Sequence, residues 1–174
     1  GHDRYRQDAW RFLETVVARD EFTGPTILLT HVPLAKPAGL CSDGPYFTYY
    51  GEEYGKALRE QNHLTEETSQ RVPNLVFGPG NPHGGVILTG HDHEGCESTY
   101  YYEEGRWAVS AGSPATSSAP HPASVHSVHE ITVRSMMGEF GGNGGLLSGW
   151  RHDNGEWNFT FSLCRFGVQH IWWA

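Results

Sequence analysis

The sequence has no stretch approaching the about 18 consecutive apolar residues that a helical bilayer span needs. Its first residues also lack the charged-then-apolar layout of a signal peptide, so it reads as a soluble segment. Cysteine is scarce: Cys41, Cys96 and Cys164 show no CxxC spacing, which excludes a zinc ribbon or a dithiol redox pair, and the odd count leaves the redox compartment open. Positive charge is scarce too. Lys and Arg number 12 against 20 Asp and Glu, a formal charge of −8, which repels a phosphate backbone and excludes non-specific nucleic-acid binding. At 174 residues the chain is too short for two full domains, so residues 1–174 are expected to form a single one. What is abundant is 22 Gly, 10 Pro and 13% aromatics, a composition of loop-rich α/β or β-rich domains, and an unusual 11 histidines. The sequon Asn158-Phe159-Thr160 matters only in a secretory compartment and lies in a predicted strand.

Along residues 4–19, Trp10, Leu13 and Val17 recur at i, i+3 and i+7 beside Phe12 and Val16, which predicts an amphipathic helix covering a sheet. Gly24-Pro25 then breaks the chain, and Thr26 to Thr30 reads as a short strand buried on both faces that ends at His31. Residues 32–62 have no period and predict a long functional or mobile loop with the cluster Tyr46-Phe47-Thr48-Tyr49-Tyr50. Thr65 is the expected N-cap of a helix reaching about Phe77, with Glu66 and Glu67 where the helix dipole favours them. After the turn-rich Gly78 to Pro82, a second buried strand, Gly85 to Thr89, runs into Gly90-His91-Asp92-His93. The rest predicts antiparallel structure. Thr99 to Tyr102 and Trp107 to Ser110 make a hairpin, Pro114 to Pro122 a Ser/Ala/Pro loop, and 130–136, 146–150 and 156–164 alternate as strands around Gly141 to Gly145 and Asp153-Asn154-Gly155. The expected fold class is α/β, with mixed β-sheets stacked on each other and flanked by helices.

His31 and the His91-x-His93 pair each follow a buried strand directly, and in an open α/β sheet the carboxyl ends of parallel strands share the edge where ligands collect. Three imidazoles are expected to converge there. Imidazole suits Zn, Mn or Fe, and the alternation in His-x-His aims two rings apart, which fits two neighbouring ions better than a chelate on one. A lone histidine at a strand end is more often a hydrogen-bonded surface residue; it is the company of Gly90-His91-Asp92-His93 that favours a metal. Most of His2, His63, His83, His121, His126, His129, His152 and His170 lack that setting and read as surface residues.

Thr30-His31-Val32-Pro33 and Thr89-Gly90-His91-Asp92-His93 resemble the last two metal-binding motifs of the calcineurin-like metallophosphoesterases. The run Glu130 to Met137, then Phe140-Gly141-Gly142-Asn143 and Gly145-Leu146-Leu147, looks like the membrane-anchored branch that trims ethanolamine phosphate from GPI-anchor glycans. Residues 165–174, ending in Trp172-Trp173, resemble that branch's approach to a membrane segment. The resemblance implies an αββα sandwich with two divalent ions, Mn most suited and Zn or Fe alternatives. It makes His31 and His91 ligands of one ion and His93 a ligand of the other, with a bridging hydroxide attacking the phosphodiester. It also implies a GPI-anchor glycolipid or GPI-anchored protein as substrate and a place at the endoplasmic reticulum membrane, with the catalytic domain lumenal and membrane attachment through segments outside this chain.

The family also uses Asp-x-His, Gly-Asp and Gly-Asn-His motifs, the last of which protonates the leaving group. None is present; Gly80-Asn81-Pro82-His83 and Gly142-Asn143-Gly144 are only superficially alike. No catalytic acid is therefore assigned, and the sequence reads as the C-terminal part of the catalytic domain, with half a site, inactive alone. Candidate substrate-binding residues are Asp92, either a turn acceptor or a partner for the ammonium, and Tyr46 and Tyr49, whose faces attract cations or pack the loop. Cys41 and Cys96 flank the same predicted sheet edge and would form a disulfide in a lumenal domain. The alternatives are another calcineurin-like phosphoesterase, nuclease or protein phosphatase, or a non-catalytic module holding one structural metal.

Overall fold

The computed structural model describes residues 2–16, 24–42, 44, 46–78, 84–112 and 126–166. Helix α1, His2–Val16, is amphipathic as its spacing predicts, and Trp10 and Leu13 pack against the core. Strand β1, Thr26–Leu29, follows. Helix α2, Glu66–Phe77, starts where expected because Thr65 accepts the Thr68 amide at 3.3 Å. Strands β4 (Gly85–Thr89), β5 (Cys96–Glu103), β6 (Arg106–Ala111) and β7 (Ser127–Thr132) complete a five-stranded sheet in the order β1-β4-β7-β5-β6. β1, β4 and β7 run parallel, while β5 is antiparallel to both β7 and β6, so the expected mixed sheet is found.

One face of the sheet carries α2 with Leu34, Val72, Val76, Phe77, Ile87, Tyr100, Trp107 and Val128 as its core. Arg71 of α2 pairs with Glu14 of α1 and stacks over Trp10, 3.9 Å from the ring centre, which fastens α1 beside α2. A ribbon of β8 (Asn143–Arg151) and β9 (Trp157–Arg165) also contacts β4, where Val86 and Ile131, of opposite alternation to the core residues, are buried. Among the described residues no helix is long and apolar enough to cross a membrane.

Several expectations need correction. Residues 32–62 are not structureless: β2 (Phe47–Tyr49) and β3 (Leu58–Gln61) form a short antiparallel ribbon around a 3-10 turn at Glu52–Tyr54, too brief and too exposed to leave a period. β1 is an edge strand, with Ile27 and Leu29 exposed on one face, because its apolar run signals burial without saying on how many faces. The strand expected at 130–136 lies at Ser127–Thr132, since the backbone of Val133 to Met137 turns away after Thr89 accepts the Val133 amide at 2.8 Å. Asn143 to Gly145 are inside β8 rather than in a joining loop, as Gly144 and Gly145 leave room for the rings of Phe166 and Phe161. The end of the predicted first helix (17–19), residues 79–83 with Asn81 and His83, the Pro114 to Pro122 loop, His121, His170 and the stretch 167–174 with Trp172-Trp173 lie outside the described residues.

Candidate metal site

Parallel pairing sets the geometry of the site. Thr26 to Leu29 register with Gly85 to Leu88, so the chain after β1 and the chain after β4 emerge side by side. Two further hydrogen bonds continue the ladder, Thr30 N–H to Leu88 O at 3.1 Å and Gly90 N–H to His31 O at 3.0 Å. The His31 and His91 rings consequently meet edge to face, centroids 5.3 Å apart and planes at 84°. Gly90 lies against the first ring at this crossing: a Cβ there would stand 3.4 Å from His31 Nδ1, an ordinary van der Waals contact. His91 itself adopts φ +72°, a left-handed conformation that costs a residue with a Cβ about 1 kcal/mol or more. Local bonds hold it there: Asp92 N–H to Gly90 O at 2.9 Å, Gly95 N–H to Asp92 O at 3.2 Å, and Glu94 N–H to Asp92 Oδ1 at 3.0 Å.

Asp92 thus has the turn-acceptor contact, and at 2% exposure it is buried. His93 stands apart from the histidine pair, exposed, with its ring 4.8 Å from that of Phe140. Two imidazoles converge where three were expected; the alternation that separates positions 91 and 93 sends the third elsewhere. Among the described residues, no group of three or more His, Cys, Asp or Glu is placed to hold a metal ion. The donor chemistry nevertheless fits one. His31 and His91 bring two imidazole rings together, and Asn62 Oδ1 lies 3.4 Å from His91 Nε2; nitrogen and oxygen donors of these kinds are ones that Zn, Mn or Fe accept.

Asn62 and His63, at the end of β3, are the residues the sequence reading missed. His63, read as a surface residue, is 1% exposed, and neither ring nitrogen has a hydrogen-bond partner among the described residues. Burial lowers its pKa to about 4, with Lys36 and His91 acting in the same direction and Asp92 opposing. The only sequence signal was position: Asn62-His63 stands just ahead of the Thr65 cap. Equally hidden was Lys36, whose ammonium pairs with Glu130 of β7 in the interior. The expected disulfide is present. Cys41 and Cys96 are bonded with Cα atoms 5.7 Å apart, tying the loop after His31 to the start of β5, while Cys164 is free and exposed.

Tyr46, just ahead of β2, and Tyr49, at its end, are both exposed. Asn62 connects the β2–β3 ribbon to the site through its amide bond to Tyr46 O at 3.2 Å and its contact with His91. Tyr49 lines an open cavity of about 410 Å³ with Tyr50, Gly51, Glu52 and Lys56, and no histidine. Beside it, the chain's own Arg59 stands 6.0 Å over the Tyr50 ring.

Two curated proteins resemble the chain. Protein TED1 of Saccharomyces cerevisiae is 45% identical over 174 residues, covering 94% of this chain and 34% of that protein. An uncharacterized protein of Schizosaccharomyces pombe is 33% identical over 141 residues, covering 81% of this chain and 25% of that protein. The chain therefore spans a third or less of the length of the curated relatives it matches. No family model matches, and no solved structure matches significantly.

Proposed function

We propose that this chain is the C-terminal part of the catalytic domain of a calcineurin-like metallophosphoesterase, a phosphodiesterase that removes ethanolamine phosphate from GPI-anchor mannose in the lumen of the endoplasmic reticulum. The observation that carries the reading is the His31–His91 pair, set edge to face at the carboxyl ends of two adjacent parallel strands, with His91 held at φ +72°. Strain of this kind persists where surrounding structure enforces it, and such places cluster at functional sites. Two further features support it. The Cys41–Cys96 bond suits an oxidising lumen, and β1 is the first strand in the order of the sheet, with Leu29 70% exposed, where further strands of a larger sheet would join.

Divalent ions, manganese by preference, would supply Lewis-acid polarisation of the phosphoryl oxygens and a nucleophile at neutral pH. His31 and His91 would hold one ion and His93, on the Phe140 side, the other. Asn62 steadies the His91 ring, and the Asp92 carboxylate fixes the turn that separates the two ligand positions. The exposed faces of Tyr46 and Tyr49 offer a stacking surface for a sugar or an ammonium. The proton for the departing mannose oxygen comes from a residue outside this chain.

The test uses the full-length protein, its bound metal, and a synthetic ethanolamine-phosphate mannoside. His91→Ala is expected to lose one ion per molecule and to lower turnover at least about 100-fold. Turnover near that of the parent would overturn the assignment.

A further inference from the structure

Two opposite charges are sealed in the interior behind the histidine pair. The Lys36 and Glu130 side chains are 1% and 0% exposed, and they form an ion pair. Such a pair is a poor device for stability: desolvation offsets the attraction, and apolar replacements of the same volume are often neutral or better. Its hydrogen bonds give it a different use. Glu130 Oε2 accepts the Leu34 amide at 3.1 Å, and Lys36 Nζ donates to the Leu34 carbonyl at 3.3 Å, so the pair satisfies both backbone groups of a fully buried residue that lies in no strand. The flanking groups are fixed as well. Pro33 O accepts the Leu64 amide at 2.8 Å, Ala35 N–H donates to Ser69 Oγ at 2.7 Å, and Tyr100 Oη donates to Ala35 O at 3.2 Å.

We infer that the Lys36–Glu130 pair is a positioning device for His31, replacing a β-ladder for the segment that leaves β1 and so fixing where the imidazole stands relative to His91. Glu130 registers with Ile87 of β4, the strand that leads into His91, so one carboxylate ties the path of the first histidine to the strands that carry the second. Upstream of the clamp, His31 O is bonded to the Gly90 amide at 3.0 Å. His31 is thereby held from both sides. The inference rests on the reading of His31 as a metal ligand.

The experiment compares Mn(II) affinity, thermal unfolding and backbone hydrogen exchange in the full-length protein. Lys36→Met with Glu130→Leu removes both charges and both bonds to Leu34. It is expected to keep a thermal midpoint near that of the parent, to speed exchange at the Leu34 amide, and to weaken Mn(II) binding at least about tenfold. Lys36→Met with Glu130→Gln is also uncharged and loses the bond to the Leu34 carbonyl but keeps an oxygen for the Leu34 amide, so it should recover part of that affinity. Unchanged Mn(II) binding in the Met/Leu variant overturns the inference. If that variant does not fold, the parent and the Met/Gln variant decide: a Leu34 amide that exchanges faster than the β7 amides, or a Met/Gln variant no tighter than His31→Ala, overturns it equally. His31→Ala is the control, and Mn(II) binding unaffected by it counts against the functional reading rather than against the clamp.

Discussion

His63 is a histidine kept neutral at a cost. The folded chain holds its pKa at about 4, against 6.5 for the free side chain, chiefly through burial. Between those two values the unfolded chain takes up a proton that the folded chain refuses. Stability is therefore fully present above pH 6.5 and falls as pH drops towards 4, by up to about 1.4 kcal/mol per pH unit. His63→Leu is expected to flatten that slope in urea titrations at pH 7 and pH 5, and to gain about 1 kcal/mol at neutral pH by removing ring nitrogens without partners. An unchanged pH slope would show that another group controls it. His93→Ala should abolish hydrolysis in the full-length protein while leaving the Mn(II) bound through His31 and His91, because its ring stands apart from theirs; metal analysis beside turnover checks both halves. The meeting of His31 and His91 was legible because each follows an apolar strand that ends at the sheet edge, whereas the placement of His93 against Phe140 was not. His63, Asn62 and Lys36 were not, since nothing in a local stretch of sequence reveals a residue that is buried by a partner far along the chain.

Among the elements, α2 and β4 were readable nearly to the residue, through a Thr65 cap in one case and a run of apolar residues between glycines and Gly90-His91 in the other. The β2–β3 ribbon was not, because Phe47–Tyr49 and Leu58–Gln61 are each too short for alternation to register and their burial comes from one end only. The Cys41–Cys96 bond links the loop before that ribbon to β5 and closes a 55-residue separation, for which chain entropy gives about 4 kcal/mol. Cys41→Ser with Cys96→Ser is expected to lose about 2–4 kcal/mol, with a matching fall in the thermal midpoint. A loss under about 0.5 kcal/mol, within the range of ordinary surface substitutions, would mean that the loop is held without it.

At the scale of the molecule, residues 1–174 alone are expected to show no ethanolamine-phosphate hydrolysis and only weak Mn(II) binding, because among the described residues no group of three or more metal-binding side chains comes together. Adding the preceding part of the longer protein should restore both activity and a second ion; chelator-sensitive hydrolysis by the 174-residue chain would contradict the half-site. The strand order β1-β4-β7-β5-β6 has a further consequence for the path by which the chain folds. β7 is the last of the five strands in sequence, yet it is the one that joins β4 to β5. Until Ser127 to Thr132 arrive, the parallel pair β1–β4 and the hairpin β5–β6 are separate pieces with no ladder between them. Their union is a late, non-local event of the kind that sets a slow rate. Truncating Val128 or Ile131 to Ala should therefore retard refolding in proportion to the stability lost. The Lys36–Glu130 clamp completes itself in the same step, because Glu130 arrives with β7, so the path of His31 beyond β1 is fixed only when the central strand closes the sheet.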